Sequence, residues 1–180
     1  TVERKVPVDA IYMAFHMSNR MHPDYYVYDM ITDILSNGRS SRFIQSLVQE
    51  QKLFTSIDAY ISGSLDEGLL HVTGKPVEGV SLEQAEEAIW KELEKMKTVP
   101  VSEQELEKVK NRYESEQIFN NINYLNVATN LAFFELLGHA EDINLEVGKY
   151  RSVTVGQIQD TACRTFVPEN CNILYYKAIK

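Results

Sequence analysis

Apolar positions fall into two rhythms along the chain, and the switch between them outlines the elements. Residues 10–17 (AIYMAFHM) form an apolar run of the length and composition of a buried strand. Pro23 opens PDYYVYDMITDIL, where Tyr26, Met30 and Ile34, or Val27, Ile31 and Ile34, recur at helical spacing. In SNGRSS (36–41), Asn37-Gly38 ends that helix and Ser40 or Ser41 can cap the next. The second helix, RFIQSLVQEQ, turns one face of Phe43, Ile44, Leu47 and Val48 inward. FTSIDAYISGS (54–64) then alternates, setting Thr55, Ile57, Ala59 and Ile61 against Phe54, Ser56, Asp58 and Tyr60. LDEG turns the chain into a second strand, LLHVTGKPV, making a hairpin.

The second half is mostly helical. SLEQAEEAIWKELEKMKTV starts at Ser81, buries Leu82, Ala85, Ile89, Leu93 and Met96, and stops at Pro100. Its charges form a solvated face laced by i,i+4 pairs. SEQE (102–105) has the pattern of a capping box and opens a long charged helix with Leu106, Val109, Tyr113 and Ile118 facing inward. An apolar helix, YLNVATNLAFFELLG, closes at Gly138. A last helix begins at Thr154, and CNILYYKAI follows Pro168 as the final strand. The order is β-α-α-β-β-α-α-α-α-β. A hairpin, and single strands separated by helix pairs, imply one α+β domain: a mainly antiparallel sheet with helices packed on one face. Regular β-α-β alternation is absent, and no glycine-rich phosphate loop follows a strand.

The 180 residues, 20.7 kDa, are enough for one domain with a sizeable core. A net charge of −8 with no basic block argues against nucleic acid as a partner. No apolar run long enough to span a membrane and no basic-then-apolar leader occurs in the sequence given, so neither a span nor a signal peptide is expected within it. Cys163 and Cys171 are too few for a disulfide framework; two free, buried thiols is the expectation, with pairing left open. The sequence reads as a piece excised from a longer chain, which leaves compartment undetermined.

Taken in order, AIYMAFHM, PDYYVYDMITDILSNGRSSRFIQSLVQEQKLFTSIDAYISGSLDEGLLHVTG, VSEQELEKVKNR and YRSVTVGQIQDTACRTFVPENCNILYY resemble the insulinase-like zinc metallopeptidases. That family includes pitrilysin and the mitochondrial processing peptidases. The most specific parts are a helix with an Asn-Gly turn, the Ser-Ser-Arg-Phe helix, the alternating strand and the later VSEQELEKVK segment. The resemblance implies the processing-peptidase, or LuxS-like metallohydrolase, fold and paired homologous domains, one carrying zinc and its partner metal-free. Catalytic domains of the family carry His-x-x-Glu-His, two imidazoles one helical turn apart with a Glu as general base toward metal-bound water. None of the four histidines here (His16, His22, His71, His139) has a second His four residues away. His16 and His22 read as packing and loop residues, and His139, near Glu141 and Asp142, as structural or solvated. The chain is therefore expected to hold no zinc of its own and to be the metal-free C-terminal domain, zinc lying in the parent's catalytic domain.

In the family such a partner domain offers an Arg and a Tyr, in a pattern like Leu-Arg-x-x-x-Gly-Leu-x-Tyr, to hold the substrate backbone and its developing oxyanion. Leu47 and Leu53 match that pattern here, but Val48 stands in the Arg slot, Lys52 in the Gly slot and Thr55 in the Tyr slot. Val cannot donate a hydrogen bond, and Thr is shorter than Tyr. Arg42 is left as a structural residue or a substrate contact. The tyrosines, with Tyr25, Tyr26 and Tyr28 clustered and Tyr175-Tyr176 in the last strand, are core-edge residues or a stacking surface. Three functions compete. One is a non-catalytic domain that packs on a zinc-bearing sister, in cis or in trans, and walls a peptide-binding chamber; the parent would be a zinc metalloendopeptidase and this piece alone no enzyme. The others are an assembly domain of a parent without peptidase activity and a stand-alone binding module. Only the module predicts no large exposed apolar face. A bacterial parent would place it in the periplasm or cell envelope.

Overall fold

The computed structural model describes residues 1–63 and 65–179. Five strands form one sheet in the order β1-β5-β2-β4-β3, with β1 at Val2–Arg4, β2 at Ala10–Met17, β3 at Phe54–Ser62, β4 at Gly68–Pro76 and β5 at Cys171–Ala178. Every pairing is antiparallel except β1 on β5. The α+β expectation holds. The short β1 is an addition: three residues lie along the last turn of β5, pairing Val2 with Tyr176 and Arg4 with Ala178. The expected end of the β3 segment at Ser64 lies outside the described residues.

Helices α1 (Asp24–Ser36), α2 (Leu82–Thr98) and α6 (Val155–Thr165) pack on one face of the sheet. The core is what strand alternation and helical spacing select: Ile11, Met13 and Phe15 from β2, Leu70 and Val72 from β4, and Ile57 and Ala59 from β3. From the helices come Met30, Ile31, Ile34, Ile89, Leu93, Met96, Ile158 and Ala162. Phe15 lies edge-on to Phe166 with ring centroids 5.2 Å apart, a favoured aromatic geometry. At Ser81 the capping box is complete, Gln84 N–H donating to the serine hydroxyl and Ser81 N–H to the Gln84 side chain. Thr154 and Gln157 repeat it at α6. Edge strand β3 is shielded by α1, whose Ser36 hydroxyl accepts from Ala59 N–H at 2.9 Å and donates to Ala59 C=O at 3.0 Å.

Several details depart from the sequence reading. Residues 44–50 wind as a π-helix, still burying Phe43 and Leu47. Ser41 does not cap it; its hydroxyl donates to Gly38 C=O. In β3 a bulge between Phe54 and Ser56 shifts the phase, so Phe54 joins the core and Thr55 turns outward. Gly74 makes that possible, because a Cβ there would stand 2.6 Å from the Phe54 ring. Helix α3 (Glu103–Asn120) has only half a capping box: Ser102 accepts from Glu105 N–H, while the Glu105 side chain goes elsewhere. Beyond α4 (Tyr124–Leu137) the chain adds a 3-10 segment (Ala140–Leu145) and a short helix, α5 (Glu146–Arg151), that the hydrophobic pattern missed.

Candidate functional site

Val48 sits on the π-helix, half-buried against the core, and Thr55 in the bulge at the start of β3. Between them Lys52 has φ 53°, the left-handed region that favours glycine. The sequence reading sets Lys52 in the glycine slot of the related pattern, and the left-handed backbone found there is one that a lysine adopts at a cost. The turn is closed by Leu53 N–H donating to Leu47 C=O at 2.9 Å. Neither slot offers a donor: Val48 has none, and the Thr55 hydroxyl is spent on Lys75 C=O at 3.0 Å. Arg42 makes a two-pronged ion pair with Glu105, both contacts at 3.0 Å, and so ties the π-helix to the start of α3. That pairing explains the unfinished capping box.

The histidines do not converge. His16 and His139 are exposed; His22 Nδ1 accepts from Asp24 N–H at 3.1 Å. His71 stacks on Tyr60 at 4.9 Å and its Nε2 lies 3.0 Å from the Ser62 hydroxyl; burial pushes its pKa down. Among the described residues no group of three His, Cys, Asp or Glu could hold a metal ion. Both cysteines are free, but Cys163 is exposed, because it lies on the outer side of α6. Cys171 is half-buried, and burial with the nearby Glu86 pushes its thiol up to about 11.

The sheet face away from the helices is open. Register places Tyr12, Thr73 and Asp58 in one row and Tyr60 with His71 in another, with Leu174 and Tyr176 continuing onto β5. Tyr12, Tyr60 and Leu174 are exposed there, and Tyr12 meets Tyr176 edge-on at 6.3 Å.

The densest polar constellation was not anticipated. Arg20, in the β2–α1 connection, donates to Tyr26 OH at 3.0 Å and to Glu146 at 2.7 Å, and Tyr26 OH donates to Glu146 at 2.8 Å. All three are buried, so the charges are paired and hydrogen-bonded, as a low-dielectric site requires. Burial works against the Arg20 charge, and the Tyr26 hydrogen bond and Glu146 more than restore it. Beside the triangle, Tyr150 OH donates to Asp29 at 2.6 Å, and Tyr150 stacks on Tyr113 with centroids 3.6 Å apart. Burial pushes the Asp29 carboxyl up, with the Tyr150 hydrogen bond pulling back; the Tyr113 and Tyr150 phenols are likewise raised by burial. The available signal was Glu146 and Tyr150 at i,i+4 in NLEVGKYR, one face of a helix too short to stand out.

The α3–α4 hairpin presents the opposite chemistry. Ile118 was expected inside and is 63% exposed. Tyr124 is 89% exposed, Leu125 72% and Leu136 72%, with Phe119 and Ile122 exposed beside them. In all of α4 only Phe134 is buried, and Glu135 is its single charge. Apolar exposure on this scale is uncommon on a free protein surface.

The sequence profile described as the peptidase M16 inactive domain matches residues 1–113. The chain belongs to that family. No curated protein matches it. Among solved structures, a protease from Helicobacter pylori superimposes with a TM-score of 0.91 at 19% identity, over 98% of this chain and 43% of that one. The inactive peptidase domain of a putative zinc protease from Bordetella parapertussis gives 0.87 at 20% identity, covering 100% of this chain and 98% of that one. A chain of complex III2 from Candida albicans gives 0.81 at 17% identity, over 97% of this chain and 44% of that one. At these identities the likeness is one of fold. The chain thus spans less than half the length of the Helicobacter protease and nearly all of the Bordetella structure. The profile match ends within α3, just before the exposed hairpin.

Proposed function

We propose that this M16 inactive domain packs against a zinc-bearing sister domain, in the same chain or a homologous subunit, and forms one wall of a peptide-binding chamber. The observation carrying the reading is the exposed apolar surface of α3 and α4. A free-standing binding module gains nothing from displaying Ile118, Phe119, Ile122, Leu125 and Leu136 together, whereas docking removes them from water. The helix-free sheet face would then supply the wall, with Tyr12, Tyr60 and Leu174 offering flat apolar area and phenol hydrogen bonds to an extended peptide. Zinc and its activated water would come from the sister.

A second reading, an assembly domain of a parent without peptidase activity, is favoured by one observation: neither Val48 nor Thr55 can donate to a substrate carbonyl. A parent that does cleave peptides would need those donors from another subunit. Sedimentation of this domain with the zinc-bearing half of its parent, alongside peptide turnover, tests both. A one-to-one complex with chelator-sensitive cleavage supports the first reading, and a complex without cleavage the second. Leu125→Asp combined with Leu136→Asp should abolish the complex while leaving the fold intact. Two halves that sediment separately would overturn the docking.

A further inference from the structure

An open cleft of about 350 Å³ lies where α1, the α3–α4 hairpin and α5 meet, next to the Arg20–Tyr26–Glu146 triangle. Its floor carries Asp29, and its walls carry the side-chain amides of Gln117, Asn120, Asn121 and Asn130 with the rings of Tyr113 and Phe133. Several other amides of the hairpin are hydrogen-bonded. Asn123 accepts from Leu125 N–H at 2.9 Å, and Asn126 donates to Asn120 C=O at 3.3 Å. The four cleft amides are not: among the described residues none of their side chains makes a hydrogen bond. On a surface otherwise so apolar, four idle carboxamides facing one cavity call for a partner.

The charges fix its sign. Arg20, Asp29 and Glu146 are the charged groups lining the cleft. Arg20 is spent on Glu146 and Tyr26, and Lys149, which does not line the cleft, also pairs with Glu146 at 3.5 Å. Asp29 receives one hydrogen bond, from Tyr150 on Oδ2, and forms no ion pair among the described residues. The cleft is thus left with one carboxylate that has no ion-pair partner among the described residues, its Oδ1 receiving no hydrogen bond there. An anion is disfavoured. A planar cation with several N–H donors suits a carboxylate, amide carbonyls and ring faces together, better than a compact ammonium does.

We propose that this cleft binds a guanidinium group carried on an apolar stem, with Asp29 as its counter-ion. The volume is that of a small-ligand site, so the group arrives either as a free alkylguanidine or as an arginine side chain of a peptide. The proposal is independent of the docking of the hairpin on a sister domain.

Titration of the ¹⁵N-labelled domain, followed through the Asn and Gln side-chain amide resonances, tests it with three probes. These are butylguanidine, a capped peptide with one central arginine, and butylurea as the neutral mimic. The expected result is saturable shifts of Gln117, Asn120, Asn121 and Asn130 with one or both guanidinium probes and none with butylurea. Butylguanidine equalling the peptide indicates a free ligand; a tighter peptide indicates an arginine side chain. Asp29→Asn, which still accepts the Tyr150 hydrogen bond, should weaken binding by about tenfold or more. Asn130→Ala, on the exposed hairpin, should weaken it less, and serves where Asp29→Asn fails to fold. Equal binding of butylurea, unchanged affinity in both variants, or no saturable shift with either guanidinium would each overturn the proposal.

Discussion

Helices α2 and α4 are both rich in apolar residues and use them to opposite effect. In α2, Leu82, Ala85, Ile89, Leu93 and Met96 recur on one stripe, and all are buried under a solvated face of lysines and glutamates. In α4, Tyr124, Leu125, Leu131, Phe133 and Leu136 are spread around the axis, and only Phe134 reaches the body of the domain. Apolar content therefore does not locate the core; period does. In α4 the apolar positions follow no single stripe, and most of them face water.

The largest expected effect contrasts the two helices directly. Leu93→Ala, at a fully buried position, should cost about 3 kcal/mol in urea unfolding, while Leu136→Ala in α4 should stay within about 0.5 kcal/mol. Comparable losses would mean that α4 is packed in solution. Next comes the polar joint between the two regions. Glu146→Leu strands a buried guanidinium and should cost about 3 kcal/mol, and adding Arg20→Met should return most of it. A double variant no better than the single would show that the ring contacts of Arg20, 4.4 Å from the Tyr25 centroid, hold the joint instead.

A smaller effect concerns pH. Burial pushes the Asp33 carboxyl up to about 6, with its hydrogen bond to Asn37 opposing and nearby Asp29 and Glu116 adding to the rise. A carboxyl raised in the fold favours the folded state below its ordinary unfolded value, and that contribution fades as pH climbs through about 6. The stability difference between Asp33→Asn and the parent should therefore shift in favour of the variant by about 1–2 kcal/mol between pH 4 and 7. A difference that is flat with pH would place Asp33 in water. The smallest effect tests the turn between Val48 and Thr55. Lys52→Gly relieves a left-handed lysine and should gain about 0.5 kcal/mol after the extra chain entropy is counted. A loss there would mean that the Lys52 side chain holds the turn.

Where one amphipathic face meets one partner, the pattern was legible. Strands β2, β4 and β5, the body of β3, and helices α1, α2 and α6 follow from spacing and caps, and the one-sided layering follows from the hairpin and the helix pairs, whereas β1 carries no such pattern. What escaped depends on neighbours far along the chain. Thr55 turns outward because Phe54 needs the space above Gly74, a residue on another strand. Glu105 leaves its capping box for Arg42. Ile118 fits an inward helical position, but at that height of α3 nothing lies beneath it. The Arg20–Glu146 pair joins residues 126 apart, so no local window holds both.

The sheet order also bears on synthesis. Strand β2 sits between β4 and β5, and β5 follows it only far along the sequence. One edge of β2, with Ile11, Met13 and Phe15 aimed at a core that is still incomplete, must therefore remain unpaired through the translation of the hairpin and of helices α1 to α6. At ordinary elongation rates that is a wait of roughly ten seconds or more. The nascent chain carries that open edge throughout, and the closing step is a pairing between strands far apart in sequence, a slow kind to find. Until β5 arrives, that edge of β2 has no partner in the order of pairing that the sheet prescribes.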